Sequence, residues 1–229
     1  MKKKLLLFII VIALSNLHAQ NKGYVALSFG GSSPLGDFAD KSDNNPNAGF
    51  AKLGTSLDLS IAYKLGKRFG MAAMVKNQSV PSDSDALTNY YEYNYSVITS
   101  ATAGNWNLTN LMIGGYGSFP IVNKLSLESK LMIGAVIATS PEIYRTQLIA
   151  LKSVYNPIGN FSKNTSTTYG ILFNAGLKYD LAKRICLLLN LDYLQSNPSF
   201  TYNNYYNKPT DESQYIQTLS YTLGVGYRL

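Results

Sequence analysis

The chain ends in Tyr215-Ile-Gln-Thr-Leu-Ser-Tyr-Thr-Leu-Gly-Val-Gly-Tyr-Arg-Leu229, and this stretch decides the fold class. Leucine, valine and tyrosine share one parity, with Gln217 as the exception, whereas the other parity is mostly serine, threonine and glycine. Successive side chains of a strand point to opposite faces, so the pattern predicts one long strand with an oily and a mostly polar face. In a membrane β-barrel the oily face meets lipid and the polar face meets the lumen. A soluble sandwich is the alternative, although a strand this long would be unusual there.

The N-terminal residues predict export. A basic start at Lys2, Lys3 and Lys4 precedes the apolar residues 5–14, and Leu17-His-Ala19 has the small-residue pattern of a cleavage site. We therefore expect a secretory signal peptide over residues 1–19 and a barrel domain over residues 20–229. The apolar run is too short for a spanning helix, and no later segment approaches 18 consecutive apolar residues, which excludes a helical membrane protein.

The composition agrees with an exported all-β protein. The 229 residues include 18 tyrosines and 18 glycines, and only 14% are charged, compared with about 25% in a typical soluble domain. A single cysteine, Cys186, allows no internal disulfide. The formal charge of +7 becomes +4 when the three lysines of the signal peptide are removed. This charge gives little support to nucleic-acid binding.

Seven further segments show the same alternation with a period of two. They are residues 23–31, 53–64, 69–78, 106–119, 125–139, 167–179 and 185–194. The connections between them alternate between short basic turns and long segments rich in Asn, Ser, Asp, Tyr and Pro.

Short periplasmic turns and long outer loops are typical of outer-membrane barrels, whereas a sandwich has no reason to sort its loops into two sets. The sequence therefore predicts an all-β fold, an eight-stranded antiparallel up-and-down transmembrane β-barrel. A count of ten strands remains open.

Charged residues fall on the inward parity of these strands. They are Asp58, Lys76, Glu128, Lys130, Lys178, Asp180, Asp192 and Arg228. An eight-stranded barrel has room only for its own side chains, and opposed charges buried inside it should pair. We expect a lumen closed by a network of charges and hydrogen bonds, not an open diffusion channel.

The signal peptide, the eight amphipathic strands and the C-terminal Tyr221-Thr-Leu-Gly-Val-Gly-Tyr-Arg-Leu229 resemble small outer-membrane β-barrel proteins of the OmpA/OmpX type. Gly30-Gly-Ser-Ser-Pro-Leu-Gly-Asp-Phe38 also resembles a stretch of their relatives in the outer membrane β-barrel domain family. The resemblance covers nearly all of residues 20–229. Members commonly end in an aromatic residue, whereas this chain ends in Leu229.

The resemblance implies an integral outer-membrane location without a specific activity. It also implies contact with outer-membrane lipid and lipopolysaccharide, and with the barrel-assembly machinery during insertion.

The sequence argues against an enzyme. The single histidine, His18, lies in the predicted signal peptide. The small outer-membrane acyltransferases, deacylases, phospholipases and omptin-type proteases rely on histidine for proton transfer, so a histidine general base is unavailable. Cys186 has inward parity and no histidine partner, which favours an inert buried thiol.

We expect neither a metal nor a cofactor. Asp37, Asp40, Asp43 and Asn45 have a spacing loosely like that of calcium ligands. They lack the glycine and the terminal glutamate of a calcium-binding loop, which favours solvated loop acids.

Two outer segments, 89–95 and 202–208, are dense in tyrosine and asparagine. Their candidate contact residues are Tyr90, Tyr91, Tyr93, Tyr95, Tyr202, Tyr205 and Tyr206. Such residues suit binding loops, and the partner would be a surface polysaccharide, lipopolysaccharide headgroups or a protein. The simpler interpretation is an aromatic girdle on strands that extend above the membrane.

The functional hypothesis is a closed outer-membrane barrel with a structural and surface-interaction role through its long loops. Two alternatives remain open. One is a narrow porin-like transport channel, and the other is a small barrel subunit of a larger secretion or uptake complex.

Overall fold

The computed structural model describes residues 22–95, 100–149, 154–157, 161–203 and 209–229. The predicted signal peptide lies outside these ranges.

The described residues form strands, one α-helix and one short 3-10 helix. The strands are β1 (Gly23–Leu35), β2 (Gly54–Lys64), β3 (Phe69–Pro81), β4 (Ser100–Ala103), β5 (Asn105–Val122), β6 (Leu125–Thr139), β7 (Ile143–Ile149), β8 (Val154–Pro157), β9 (Thr165–Asp180), β10 (Ile185–Ser196), β11 (Ser199–Asn203), β12 (Pro209–Ser213) and β13 (Ile216–Arg228). The α-helix, α1, is Ser84–Tyr95, and the 3-10 helix is Gly36–Phe38.

Eight of these strands close into one barrel, in the order β1-β13-β10-β9-β6-β5-β3-β2. Every neighbouring pair is antiparallel. The first and last strands pair from Tyr24 opposite Arg228 to Leu35 opposite Gln217. The predicted eight-stranded up-and-down barrel is confirmed, and the count is eight, not ten.

The two faces of the barrel wall follow the predicted parities. Outward side chains such as Leu27, Phe29, Ile133 and Leu223 are 57%, 62%, 63% and 70% exposed on the isolated chain. The inward neighbours are buried. Because apolar side chains cover the outer wall, it presents the band that a barrel needs in a bilayer.

The outward apolar band ends before the strands do. Toward the long-loop end, outward positions become polar, as at Thr55, Asn77, Asn107 and Gln195. Some of these side chains bond across strands, and the Thr109 hydroxyl donates to Asn77 Oδ1 at 2.8 Å. The barrel wall therefore continues above the apolar band as a short polar tower.

The tower explains why several strands are longer than the sequence predicted. β1 reaches Leu35 instead of residue 31, and β3 reaches Pro81 instead of residue 78. Alternation of apolar and polar side chains marks the lipid-facing part of a strand. Where both faces are polar that signal disappears, although the backbone pairing continues.

Close packing of the wall requires small residues at particular inward positions. A Cβ on Gly114 would lie 2.0 Å from the carbonyl oxygen of Leu131 on the neighbouring strand. The glycine at this site allows the two backbones to approach.

Structure within the long connections was not predicted from the sequence. Between β3 and β5, α1 packs beside β4, which pairs with β7 of the following outer connection. Asp83 caps α1, because its Oδ1 accepts the backbone N–H of Ala86 at 3.3 Å. Residues 89–95, predicted as a loop, form the C-terminal half of α1. Their tyrosines are weak helix formers, so the helix depends on packing of Leu87 and Tyr91.

Among the described residues, no helix has the length and apolar character needed to cross a membrane.

The position of the apolar band can be tested on β10. Leu189 faces outward in the middle of the band, and Gln195 faces outward in the polar tower of the same strand. We expect Leu189→Lys to lower the free energy of unfolding by about 2–4 kcal/mol, because lysine would lie at bilayer mid-depth. Gln195→Lys is the matched control, with an expected cost of about 0–1 kcal/mol. Urea titrations of protein folded into phospholipid vesicles measure both values, and equal costs would contradict the assigned band.

Candidate functional site: a filled lumen below an outer cavity

The lumen is filled by side chains in successive layers. At the short-turn end, the Asp180 carboxylate forms ion pairs with two cationic side chains. Lys178 Nζ lies 3.3 Å from Asp180 Oδ1, and Arg228 Nη1 lies 3.4 Å from Asp180 Oδ2. These three side chains form a charge cluster just inside the barrel mouth.

The next layer is built around the buried carboxylate of Glu128. Tyr24 donates its hydroxyl to Glu128 Oε2 at 2.6 Å, and the Tyr116 hydroxyl donates to Glu128 Oε1. The ammonium groups of Lys130 and Lys178 lie 5.9 and 6.0 Å from the centre of the Tyr24 ring. This distance is within the range of a cation–π contact. Glu128 is thus stabilised mainly by phenol donors.

A buried ion pair crosses the middle of the barrel. Lys76 Nζ lies 2.5 Å from Asp192 Oδ2, and both side chains are at most 1% exposed. Asn174 donates to the other oxygen of Asp192 at 2.6 Å. Nearby, Asp58 lies opposite Ser28 and Lys76 on the flanking strands. Neither oxygen of Asp58 has hydrogen-bonding geometry to another described residue.

An amide and hydroxyl layer lies above the ion pair. Gln78 Nε2 donates toward Ser32 Oγ at 2.7 Å, Thr218 Oγ1 at 2.9 Å and Ser220 Oγ at 3.1 Å. Asn110 Nδ2 donates to Gln78 Oε1 at 3.1 Å. Gln78 therefore connects strands on opposite sides of the lumen.

An aromatic plug closes the outer mouth of the barrel, and it consists of Phe38, Trp106 and Phe200. The Trp106 ring centroid lies 5.5 Å from that of Phe38 and 5.7 Å from that of Phe200, with edge-to-face geometry. All three are buried, and Ile216 and Val80 belong to the same cluster. The indole N–H of Trp106 donates to the Gly49 carbonyl oxygen at 3.3 Å. Phe38 comes from the 3-10 helix, so the first outer connection folds inward to complete the plug.

All eight predicted lumen residues lie on the inner face, but they do not all form ion pairs. Lys76 meets Asp192, and Asp180 meets Lys178 and Arg228, whereas Asp58, Glu128 and Lys130 make no ion pair within the described chain. The expected simple pairing of opposed charges is therefore incomplete. Sequence reasoning missed the role of Tyr24 and Tyr116, because an inward tyrosine carries no charge to mark it. The sequence signal for each of them was an aromatic residue at an inward position of its strand, β1 or β5.

Directly above the plug lies a cavity of about 500 Å³ walled by the outer connections. Its lining includes Trp106 and Phe200 from the plug, Tyr90 and Tyr91 from α1, and Phe161. Polar side chains on the wall are Asn45, Asn47, Ser82, Ser140, Arg145, Glu212, Ser213 and Gln214. A volume of this size lies within the range of ligand pockets, about 300–1,000 Å³.

Three of the seven predicted contact tyrosines meet at this cavity, namely Tyr90, Tyr91 and Tyr202. Tyr93 belongs to α1 but does not line the cavity, and it is 67% exposed. The Tyr95 side chain, Tyr205 and Tyr206 lie outside the described part of the chain.

The cavity combines aromatic faces with amides and a single guanidinium. The Arg145 guanidinium carbon lies 4.5 Å from the Phe161 ring centroid and 5.2 Å from that of Tyr91. Burial raises the pKa of Tyr202. Gln214 Nε2 donates to the Asn47 carbonyl oxygen at 3.1 Å and links two of the outer connections.

An ion-pair cluster holds the first outer connection against α1. Asp83 accepts Lys41 Nζ at 2.7 Å and lies 3.5 Å from Lys52 Nζ. The hydrogen bond from Lys41 lowers the pKa of Asp83, which keeps the carboxylate charged. The three charged side chains lie outside the cavity lining, next to Ser82, which is part of it.

Two of the acids considered as calcium ligands, Asp37 and Asp40, accept hydrogen bonds from a neighbouring side chain. Asn45 Nδ2 donates to Asp37 Oδ1 at 3.2 Å and to Asp40 Oδ2 at 2.6 Å. Hydrogen bonds from Ser42 and Asn45 lower the pKa of Asp40 to about 2. Within the described ranges, no group of three or more His, Cys, Asp and Glu side chains could hold a metal ion.

Three solved structures show what the chain is similar to. OprG from Pseudomonas aeruginosa aligns with a TM-score of 0.53 at 12% identity, covering 91% of this chain and 96% of that one. The outer membrane protein AlkL, solved in DMPC lipid bilayers, aligns with a TM-score of 0.50 at 15% identity, covering 92% and 93%. Ail of Yersinia pestis has a TM-score of 0.48 at 13% identity, covering 92% and 100%.

The first two alignments establish that the fold is that of small outer-membrane β-barrels, as the resemblance predicted. No protein-family model and no curated protein matches the sequence.

The Lys76–Asp192 pair gives a direct test of the lumen geometry. We expect Asp192→Asn to lower the free energy of unfolding by about 3–5 kcal/mol, because the buried Lys76 ammonium would lose its direct ion-pair partner. The double variant Lys76→Met with Asp192→Leu should recover most of that loss, since it removes both charges. Lys41→Gln is the control at an exposed pair and should cost at most about 1 kcal/mol. Urea unfolding in vesicles supplies the values, and a loss under about 1 kcal/mol for Asp192→Asn would rule out a buried pair.

Proposed function

We propose that the chain is an outer-membrane barrel with a closed lumen that presents a ligand-binding cavity at the cell surface. The observation that carries this proposal is the position of the cavity. It lies directly on the Phe38–Trp106–Phe200 plug, so a ligand held by the outer connections meets a packed aromatic floor. A floor of this kind suits retention of a ligand better than its passage.

Support for the outer-membrane location comes from the barrel wall and from the fold. The outward apolar side chains form a band that water would not stabilise, whereas lipid would. A closed barrel leaves no unpaired strand edge in the hydrocarbon. OprG and AlkL, which share this fold, are both outer membrane proteins.

Support for the closed lumen comes from its layers. Between the aromatic plug and the short-turn mouth lie the Gln78 amide layer, the Lys76–Asp192 pair and the Glu128 cluster. Each layer connects side chains of different strands across the barrel axis. These contacts favour a closed anchor over the alternative of a narrow porin-like channel.

The chemistry of the cavity favours binding over catalysis. The only histidine of the chain is His18, far from the cavity in sequence and outside the described residues. The described lining contains no histidine or cysteine that could serve as a general base or nucleophile.

The lining suits a neutral saccharide. Tyr90, Tyr91 and Phe161 offer aromatic faces for the apolar side of a sugar ring, and the Asn and Gln amides offer donors and acceptors for hydroxyl groups. Arg145 and Glu212 have opposite charges, so the lining has no excess of either sign. A strongly charged ligand would be repelled by whichever of these two side chains carries the same sign of charge.

Tyr90 and Tyr93 provide a matched pair for testing the cavity. They lie one turn apart on α1, but Tyr90 lines the cavity and Tyr93 is exposed outside the lining. We expect Tyr90→Ala to weaken saccharide binding by about tenfold or more, the scale of a central aromatic contact, and Tyr93→Ala to leave it within about twofold. The measurement is saturation-transfer NMR with a panel of neutral di- and trisaccharides, using protein folded in detergent. If no saccharide of the panel binds, or both variants lose binding equally, the proposed ligand class is wrong.

A further inference from the structure

The positive charge of the barrel domain is concentrated at one end. Seven cationic side chains lie at or beside the short turns and the start of β1. They are Lys22, Lys64, Lys67, Arg68, Lys124, Lys183 and Arg184. The short turns 65–68, 123–124 and 181–184 contain no Asp or Glu. We call this surface the turn rim.

The rest of the barrel domain does not share this excess. The eight lumen charges are four acids and four bases. The four long connections, at the opposite end, hold nine acids and six bases. The net charge of +4 therefore results from a strongly basic turn rim combined with a mildly acidic loop end.

Within the described residues, none of the seven turn-rim cations forms an ion pair. Lys67, Arg68, Lys124 and Lys183 are exposed. Seven like charges around one barrel mouth repel each other, so an external anion would stabilise the arrangement.

Large apolar side chains stand between these cations. Leu65 is 71% exposed, Ile121 55%, Val122 63% and Leu181 52%. Each short turn, together with the strand end beside it, therefore combines an exposed aliphatic side chain with one or two cations. Aliphatic groups on a turn gain nothing from a soluble polyanion, whereas a lipid layer would bury them.

Aromatic side chains lie immediately next to the turns on the outward face. The ring centroids of Phe69 and Phe119 lie 5.8 Å apart, edge to face. Arg184 Nη1 donates to the Tyr227 hydroxyl at 2.9 Å. An interfacial aromatic next to a cation marks the depth of lipid headgroups.

From these observations we propose that the turn rim is a binding surface for the headgroups of anionic phospholipids. The cations pair with phosphate groups of the leaflet at the turn end, and the aliphatic side chains enter the edge of the acyl region. The inference rests on the membrane location proposed above but not on the cavity or its ligand.

Native mass spectrometry of the detergent-folded protein tests this surface. The probes are dioleoylphosphatidylglycerol, which is anionic, and dioleoylphosphatidylcholine, which has the same acyl chains and no net charge. We expect wild type to retain the anionic lipid preferentially. Lys67→Gln with Lys183→Gln should reduce that preference by about fivefold for each lysine, the contribution of one basic residue near an anionic bilayer surface. Lys52→Gln with Lys163→Gln removes the same charge from the loop end, and the preference should stay within about twofold of wild type.

A second pair of variants separates a lipid from a soluble polyanion. Leu65→Ser with Leu181→Ser keeps every charge, and we expect it to weaken phosphatidylglycerol binding while leaving polyglutamate binding unchanged. Three results would overturn the proposal: equal retention of both lipids by wild type, equal losses in the two lysine double variants, or unchanged lipid binding in the serine variant. None of these outcomes depends on saccharide binding, so failure here is distinguishable from failure of the cavity.

Discussion

Backbone pairing between the first and last barrel strands is the constraint on which the rest of the structure depends. β1 and β13 pair over twelve positions, from Tyr24 with Arg228 to Leu35 with Gln217. In hydrocarbon an unpaired N–H or C=O costs several kcal/mol, so an open edge could not remain in lipid. Closure fixes the number of strands, and with eight strands the interior has room only for side chains. The alternating parity then assigns each residue to lipid or to lumen.

The closed interior explains why the two ends of the barrel have different chemistry. Tyrosine hydroxyls bond to the buried carboxylate of Glu128, and a cation and an amide contact that of Asp192, whereas Asp58 makes no ion pair among the described residues. Outside the wall, the long connections fold into a helix and two small sheets above the aromatic plug. The connections can therefore differ in chemistry from the barrel that carries them.

The sequence predicted the barrel well because its strands are marked by a simple alternation. The predicted bounds of β6 agree with the structure, and those of β2 differ by one residue. The sequence prediction ended β1 and β3 too early, because the outward side chains near the ends of these strands are polar. The helix α1 was missed because its tyrosine-rich half lacks helical propensity and depends on packing against residues distant in sequence. The inward charges could be named, but their partners could not, since pairing depends on layer height and side-chain reach. The aromatic plug was not predicted either, because Phe38, Trp106 and Phe200 come from three separate segments of the chain.

Conductance across a planar lipid bilayer tests the proposed closed lumen most directly. Purified protein with the wild-type sequence should insert without steady ion conductance, because side chains fill the lumen in layers from the aromatic plug to the Asp180 cluster. Trp106→Ala should also remain non-conducting, since the layers below the plug stay in place. A steady conductance from the wild-type protein would contradict the account.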